Sequence, residues 1–370
     1  MYKKKANITV SFSWIFMIII GTFFIVVAYN VISTYQQNEE AKYELELKNT
    51  LRNVFNLVGT TTGIEEEKME PLGRVFRNSE VEIICFENNP LLSINGRLDA
   101  NNEYLRNYPT FMTYIKQGRL DETYLAVGNF RMPFKTSNLL AIVSKNNYII
   151  LDDSSTISLL FIEKFRKTGA FEDLTLIVTN INSFDSDFYE SLRRSGANSI
   201  MFISDEHINI DPQWENLRQR AYHLQIENPG NSYGNIIYKD KDGNSFTFPY
   251  IDFDNSLSLI TMAAFSSPGT FNCSYNRLFD LTTSAYEFKI NKTQYFISLL
   301  DNSVSLCSPS MGGVGLQNLS YVEVLEKLEE IKLYIETNNF NNPVQLYNLI
   351  RQLDDLQKDK LEVFNCPYIY

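Results

Sequence analysis

Histidine is nearly missing from these 370 residues: His207 and His223 are the only two. That leaves little room for histidine-rich metal chemistry or a catalytic triad. Four cysteines, Cys85, Cys273, Cys307 and Cys366, include no C-x-x-C pair, which excludes a zinc ribbon and an ordinary iron–sulfur site. Basic charge is short: 33 Lys and Arg face 44 Asp and Glu, a net charge of −11. A general nucleic-acid binder carries a basic face, so no nucleic acid is expected as a partner. No cofactor signature is present either. The glycines of Ser310-Met311-Gly312-Gly313-Val314-Gly315 lack the preceding strand and the lysine of a phosphate loop and read as a linker. Lys239-Asp240-Lys241-Asp242-Gly243-Asn244 opens like a calcium loop but lacks its closing glutamate, and reads as a hairpin turn.

Charge of either sign is absent from residues 6–38. Inside that stretch Val10 to Ile32, VSFSWIFMIIIGTFFIVVAYNVI, is almost wholly apolar. As a helix it spans about 35 Å, enough to cross a hydrocarbon core of ~30 Å with some tilt. Trp14 near one end and Tyr29 and Tyr35 near the other suit the two interfaces. Lys3, Lys4 and Lys5 precede the segment, while Glu39 and Glu40 follow it. The positive-inside rule then puts the N-terminus in the cytoplasm and the C-terminal domain outside. The apolar run is long for a signal peptide and no small-x-small site follows it, so an uncleaved signal anchor is expected in the cell membrane. A second reading takes Lys4-Lys5-Ala6 as a pilin-type signal cut between Ala6 and Asn7; Ser11 stands where bacterial pilins often carry glutamate.

The pattern divides the chain into a basic tail (1–9), a transmembrane helix (10–34), a helical stalk (35–60), a strand-rich region (61–145), an α/β region with a hairpin (146–310) and a C-terminal antiparallel helix pair (311–370). The fold class expected is an α/β or α+β ectodomain with a mixed sheet on a long N-terminal transmembrane helix. Its clearest part is 146–204. NNYIILDD, LTLIVTN and NSIMFIS are apolar runs without alternation, separated by STISLLFIEKFRKTG and DSDFYESLRRSG with helical patterns. That order points to a buried parallel sheet. GNIIYKDKDGNSFTFPYI reads as a hairpin turning at Asp242-Gly243. Leu325, Leu328, Ile331 and Ile335 stripe a late helix, with Ser320 and Glu323 spaced as its capping box.

No catalytic or metal-binding residue is assigned. The even cysteine count, on the outer side of a membrane, suggests up to two disulfides among three connectivities, with Cys307–Cys366 the favoured bridge. Asp152, Asp153 and Ser154 follow a strand, but adjacent acids do not make the D-x-D-x-T of a haloacid-type phosphatase, and a helix cap is the expected role. Asn272, Asn291 and Asn318 open glycosylation sequons, of which Asn291 and Asn318 are the usable candidates.

SFSWIFMIIIGTFFIV after its lysines resembles a family of uncharacterised membrane-anchored proteins of DPANN archaea with a pilin-like N-terminal segment. The likeness extends to RMPFKTSNLLAI from Arg131, to FNCSYNRLF around Cys273 and to FNCPYIY around Cys366. Those relatives usually carry Lys-Gly-Gln where this chain has Lys-Ala-Asn. The resemblance implies a location and an architecture, and no catalytic residues. The function expected is structural or interactive, at the cell surface, with a pilin-like subunit as its most specific form. The lipid bilayer, and other proteins or further copies of the chain, are the expected partners. The alternatives are a membrane-tethered exported hydrolase or a ligand-binding module; carboxylates clustered around a pocket at the C-terminal ends of the 146–204 strands would favour the hydrolase.

Overall fold

The computed structural model describes residues 4–60, 68–73, 80–86, 89–98, 109–112, 115–116, 122–167, 174–181, 186–206, 217, 220–240, 244–253, 258–301, 314–338, 340–362, 366–367 and 369. The chain divides into two compact units, Met1–Phe55 and Asn56–Tyr370. Nearly all of the first belongs to helix α1, which runs Lys4–Thr60. Within α1 the window Ile19–Gln36 has a mean hydropathy of 1.4, and none of it is buried.

Among the described residues the second unit holds three sheets. Its first strands are short: β1 (Lys68–Gly73), β2 (Glu80–Phe86), β3 (Asn89–Ile94), β4 (Arg97–Leu98), β5 (Thr110–Met112) and β6 (Ile115–Lys116). One sheet has the order β4-β3-β2-β6. Asn95 and Gly96 turn β3 into β4 with φ of 51° and 75°, the left-handed pair that a tight two-residue hairpin requires. The long hairpin of β7 (Thr123–Arg131) and β8 (Lys135–Ser144) forms a second sheet, β1-β7-β8-β5. Both long strands are buried on both faces for most of their length, which explains their unbroken apolar runs.

The third sheet is built from β9 (Asn147–Asp152), β10 (Thr175–Thr179), β11 (Ser199–Ser204), β12 (Arg220–Glu227), β13 (Tyr233–Asp240) and β14 (Ser245–Ile251). Helices α2 (Thr156–Lys167) and α3 (Ser186–Arg194) link the first three strands. The order is β10-β9-β11-β12-β13-β14, parallel from β10 to β12 and antiparallel beyond. It is the mixed sheet expected. Ile149, Leu151, Met201 and Ile203 join the main core with Ile157, Phe161 and Phe165 of α2. Ile150, Ile200 and Phe202 point the other way, into a cluster with Tyr189 and Leu192 of α3. In β13, Gly234 lies opposite Tyr250 of β14 and leaves room for its ring; the Tyr250 hydroxyl stands 3.0 Å from the Asn228 carbonyl and 3.3 Å from that of Glu227.

Among the described residues the C-terminal region adds helices α4 (Ser258–Ala264), α5 (Pro268–Asp301), α6 (Val314–Asn338) and α7 (Pro343–Leu356), the last running into a π-helical turn, Gln357–Glu362. The 34 residues of α5 extend about 51 Å at 1.5 Å each. This helix has no counterpart in the sequence reading. Ser267 caps it, its Oγ accepting from Thr270 N at 3.4 Å, and Pro268 opens its first turn. Helix α6 starts six residues before the expected capping box, so Ser320 and Glu323 lie inside it, and Val314 and Gly315 of the expected linker are helical. Asn342 caps α7, its side chain accepting from Gln345 N at 3.2 Å. Leu328, Ile331 and Ile335 of α6 and Leu346, Ile350 and Leu353 of α7 are buried in the main core. Lys327 Nζ of α6 donates to Gln352 Oε1 of α7 at 3.0 Å.

One helix ties the sheets together. Cys273 of α5 is disulfide-bonded to Cys85 of β2, with Cα atoms 5.6 Å apart. Thr270 Oγ1 donates to Ile83 O at 3.2 Å, and Ser274 Oγ donates to Thr110 O in β5. Tyr275 donates to Pro249 O in β14 at 2.5 Å, and Tyr286 to Met132 O, between β7 and β8, at 2.6 Å. The disulfide spans 188 residues, and in the loop-entropy account such a closure contributes roughly 5 kcal/mol. Elsewhere Tyr238 donates to Ala263 O at 2.8 Å and Tyr321 to Pro367 O at 2.9 Å.

Burial raises Tyr238, Tyr275 and Tyr286 well above the ordinary phenol value of 10.0, and pushes Tyr321 up to about 12. A folded-state pKa above the unfolded one means that the unfolded chain releases these protons first. Their contribution to stability is therefore complete below pH ~10 and declines as pH rises through ~10 to ~12 and beyond. Thermal melting should be insensitive to these phenols from pH 7 to 9 and fall steeply above pH 10. Tyr286→Phe should cost about 1–3 kcal/mol at neutral pH, because Met132 O loses its donor, and should shallow the alkaline slope. An unchanged slope in that variant would contradict this assignment.

Candidate functional site

In an open α/β sheet the chain reverses its order at a switch point, and the crevice at the carboxyl ends of the flanking strands is where ligands bind. Here the reversal lies at β9, which has β10 on one side and β11 on the other. Asp152 ends β9 and is followed by Asp153, Ser154 and Ser155; Ser204 ends β11 and is followed by Asp205 and Glu206. This is where clustered carboxylates would favour a hydrolase.

Two of these acids, Asp152 and Asp205, are committed to the protein itself, while Asp153 and Glu206 are exposed. Asp152 is buried; its Oδ2 accepts from Ser154 Oγ at 2.8 Å, and its Oδ1 from Ile181 N at 3.3 Å. Asp205 Oδ2 accepts from Thr156 N at 2.8 Å, so a carboxylate sits at the N-terminus of α2, where the free N–H groups and helix dipole favour an anion. The cap expected from Asp152–Ser154 is thus supplied by Asp205, 49 residues from Thr156. Ser155 and Ser158 hydroxyls in the same turn are buried and make no hydrogen bond.

One contact has the look of catalytic machinery. Ser204 Oγ and His223 Nε2 stand 2.8 Å apart, and both residues are fully buried. A serine nucleophile must give its proton to the imidazole and face a substrate. Ser204 has a single proton and also lies 2.8 Å from the Glu206 carbonyl, which can only accept. Donation to that carbonyl makes Nε2–H the donor to Ser204 Oγ. In that arrangement Ser204 and His223 bridge two strands inside the fold, and the imidazole nitrogen that faces the hydroxyl carries its own proton and cannot act as the base. Pairing of β11 with β12 brings them together, and no linear motif announces it.

A pocket in the second unit, lined by Phe130, Met132, Pro249, Ile251, Leu259, Tyr275 and Phe340, is apolar and barely water-sized. None of the switch-point acids reaches it. Among the described residues no group of three or more His, Cys, Asp and Glu side chains is placed to hold a metal ion. In the half-loop at Asp240, both carboxylate oxygens are taken by Asn244, at 2.8 Å each from its N and Nδ2.

The other sequence-derived positions are scattered. Cys85 and Cys273 are bonded to each other. Cys366 is buried and disulfide-bonded; Cys307, expected as its partner, lies outside the described residues, as does His207. Ala6 and Asn7 are in the first turns of α1. Asn291 is exposed on α5, but the Thr293 hydroxyl of its sequon is buried and donates to Lys289 O at 2.8 Å; Asn318 lies in α6. Comparison of the chain with protein-family models, with curated proteins and with solved structures finds no match.

A fluorophosphonate probe, which captures activated serines, should leave Ser204 unlabelled in the folded protein. Labelling lost in Ser204→Ala would show instead a reachable nucleophile and restore the hydrolase reading.

Proposed function

We propose that this chain is a single-pass membrane-anchored protein with a cytoplasmic N-terminus and an extracytoplasmic Asn56–Tyr370 unit that acts at the cell surface by binding other protein chains. The observation that carries the reading is the exposed apolar surface of α1: Phe23, Phe24, Ile25, Tyr29 and Ile32 are each more than half exposed within a span of mean hydropathy 1.4. Apolar surface costs about 25 cal/mol per Å² in water, and lipid removes that cost. Three lysines ahead of the span favour the stated orientation. The Cys85–Cys273 bond agrees with it, because such bonds persist in oxidising compartments.

Interaction is preferred to catalysis because Asp152 and Asp205 at the switch point, and the Ser204–His223 pair beside them, are engaged in holding the fold. A pilin-like subunit, processed between Ala6 and Asn7, is the more specific form of the same reading. It is supported by Lys4-Lys5-Ala6 directly ahead of the apolar run and by the resemblance of that run to archaeal membrane-anchored proteins.

Protease added to sealed right-side-out vesicles should digest the Asn56–Tyr370 unit and spare an N-terminal fragment. A chain cut only after the vesicles are opened would contradict the orientation. The intact mass from the native membrane separates the two forms: a start at Met1 fits a plain signal anchor, and a start at Asn7 fits pilin-type processing.

A further inference from the structure

The six-stranded sheet ends on two edges, β10 and β14, and they are built differently. An open edge invites pairing with another chain unless proline, charge or a covering element blunts it. β14 carries Pro249, which has no N–H to offer, and its carbonyl is occupied by Tyr275 at 2.5 Å. β10, Thr175-Leu176-Ile177-Val178-Thr179, has no proline, glycine or charge. Its neighbour β9 and the next strand, β11, are almost wholly buried, whereas every residue of β10 is partly exposed, and Val178 is 45% exposed.

The backbone phase of β10 is fixed by one bond: Asp153 N donates to Thr179 O at 3.0 Å, so Thr179 turns its polar backbone groups toward β9. Strand alternation makes Ile177 and Thr175 do the same, and turns the N–H and C=O of Leu176 and Val178 to the outer edge. Among the described residues no strand pairs with that edge. The strand also reads alike from either end: threonine, aliphatic, isoleucine, aliphatic, threonine.

We propose that two copies of this chain pair through β10, as antiparallel strands about a two-fold axis at Ile177, joining two six-stranded sheets into one. Leu176 then lies opposite Val178 of the second copy, where the outward N–H and C=O groups of both satisfy one another, and the two-fold axis repeats the pair. Ile177 meets Ile177 of the second copy in a non-hydrogen-bonded position, and Thr175 meets Thr179. A two-fold contact needs a self-complementary surface, which this strand supplies. Five residues make a small interface for a free dimer. Confinement of copies to one membrane raises their effective concentration, and in that respect the proposal rests on the anchor reading.

The test uses the full chain in phosphatidylcholine–phosphatidylglycerol vesicles, with Ile177→Cys and Val178→Cys made separately; among the described residues no native cysteine is free to interfere. Under mild oxidation Ile177→Cys should give at least about ten times more covalent dimer than Val178→Cys, because position 177 meets itself and position 178 meets 176. Equal cross-linking of the two, or none at 177, overturns the proposal. Val178→Pro removes an outward N–H without touching the β9 ladder. It should abolish energy transfer between labelled copies while melting within a few degrees of the unsubstituted chain. Val178→Pro copies that still pair as before also overturn the proposal, and this arm decides the matter should Ile177→Cys fail to fold. Vesicle flotation reads the anchor separately: a chain that floats but stays monomeric refutes the pairing alone. A chain that does not float refutes the anchor, and the 177-against-178 comparison in concentrated solution then decides the pairing.

Discussion

A carbonyl oxygen on the open side of a strand or in a turn inside a protein has no ladder partner, and leaving it dry costs more than a hydrogen bond returns. The second unit solves this largely with one helix. From a single rod, α5 supplies Thr270, Ser274, Tyr275 and Tyr286 to carbonyls of β2, β5, β14 and the β7–β8 turn, and adds a covalent bond to β2 through Cys273. Each contact joins residues far apart in sequence, from 26 for Tyr275 to 188 for the disulfide. The three sheets are not one continuous ladder, so their mutual placement depends on these ties and on the apolar packing around them.

That dependence explains what could be read from the sequence. The stretch 146–204 was legible because its central strands β9 and β11 are buried on both faces, β10 is an uninterrupted β-branched and aliphatic run, and the linking helices carry a clear apolar period. Local pattern and tertiary role agree there. The late stripe Leu328, Ile331, Ile335 was legible for the same reason. Helix α5 was not. Its sequence, PGTFNCSYNRLFDLTTSAYEFKINKTQYFISLLD, is rich in Thr, Asn, Ser, Tyr and Phe, which are indifferent helix formers. Its buried positions, among them Phe271, Cys273, Ser274, Leu278, Thr282, Tyr286 and Ile290, mix polar and apolar types, which blurs the helical period. The hydroxyls that weaken the helical signal are among those that bind distant carbonyls.

The candidate site was half legible. A carboxylate cap at the start of α2 was expected from Asp152–Ser154, because the sequence shows only neighbours; the fold delivers Asp205 from the next parallel strand. Ser204 and His223 meet only because β12 runs parallel to β11, a pairing that no spacing rule encodes. Both cases move polar groups out of chemistry and into architecture. Among the outward-facing features are the apolar surface of α1 and the uncharged edge of β10, suited to lipid and to another chain.

The account depends on the Asn56–Tyr370 unit maturing where cysteines oxidise, since the α5–β2 tie is one of its main fastenings. The most direct measurement is alkylation of the protein in freshly opened native cells, with and without prior reduction, read by peptide mass. The account predicts that Cys85 and Cys273 stay unmodified until reductant is added. Full modification of both before reduction would place the unit in a reducing compartment and contradict the export on which the functional reading stands.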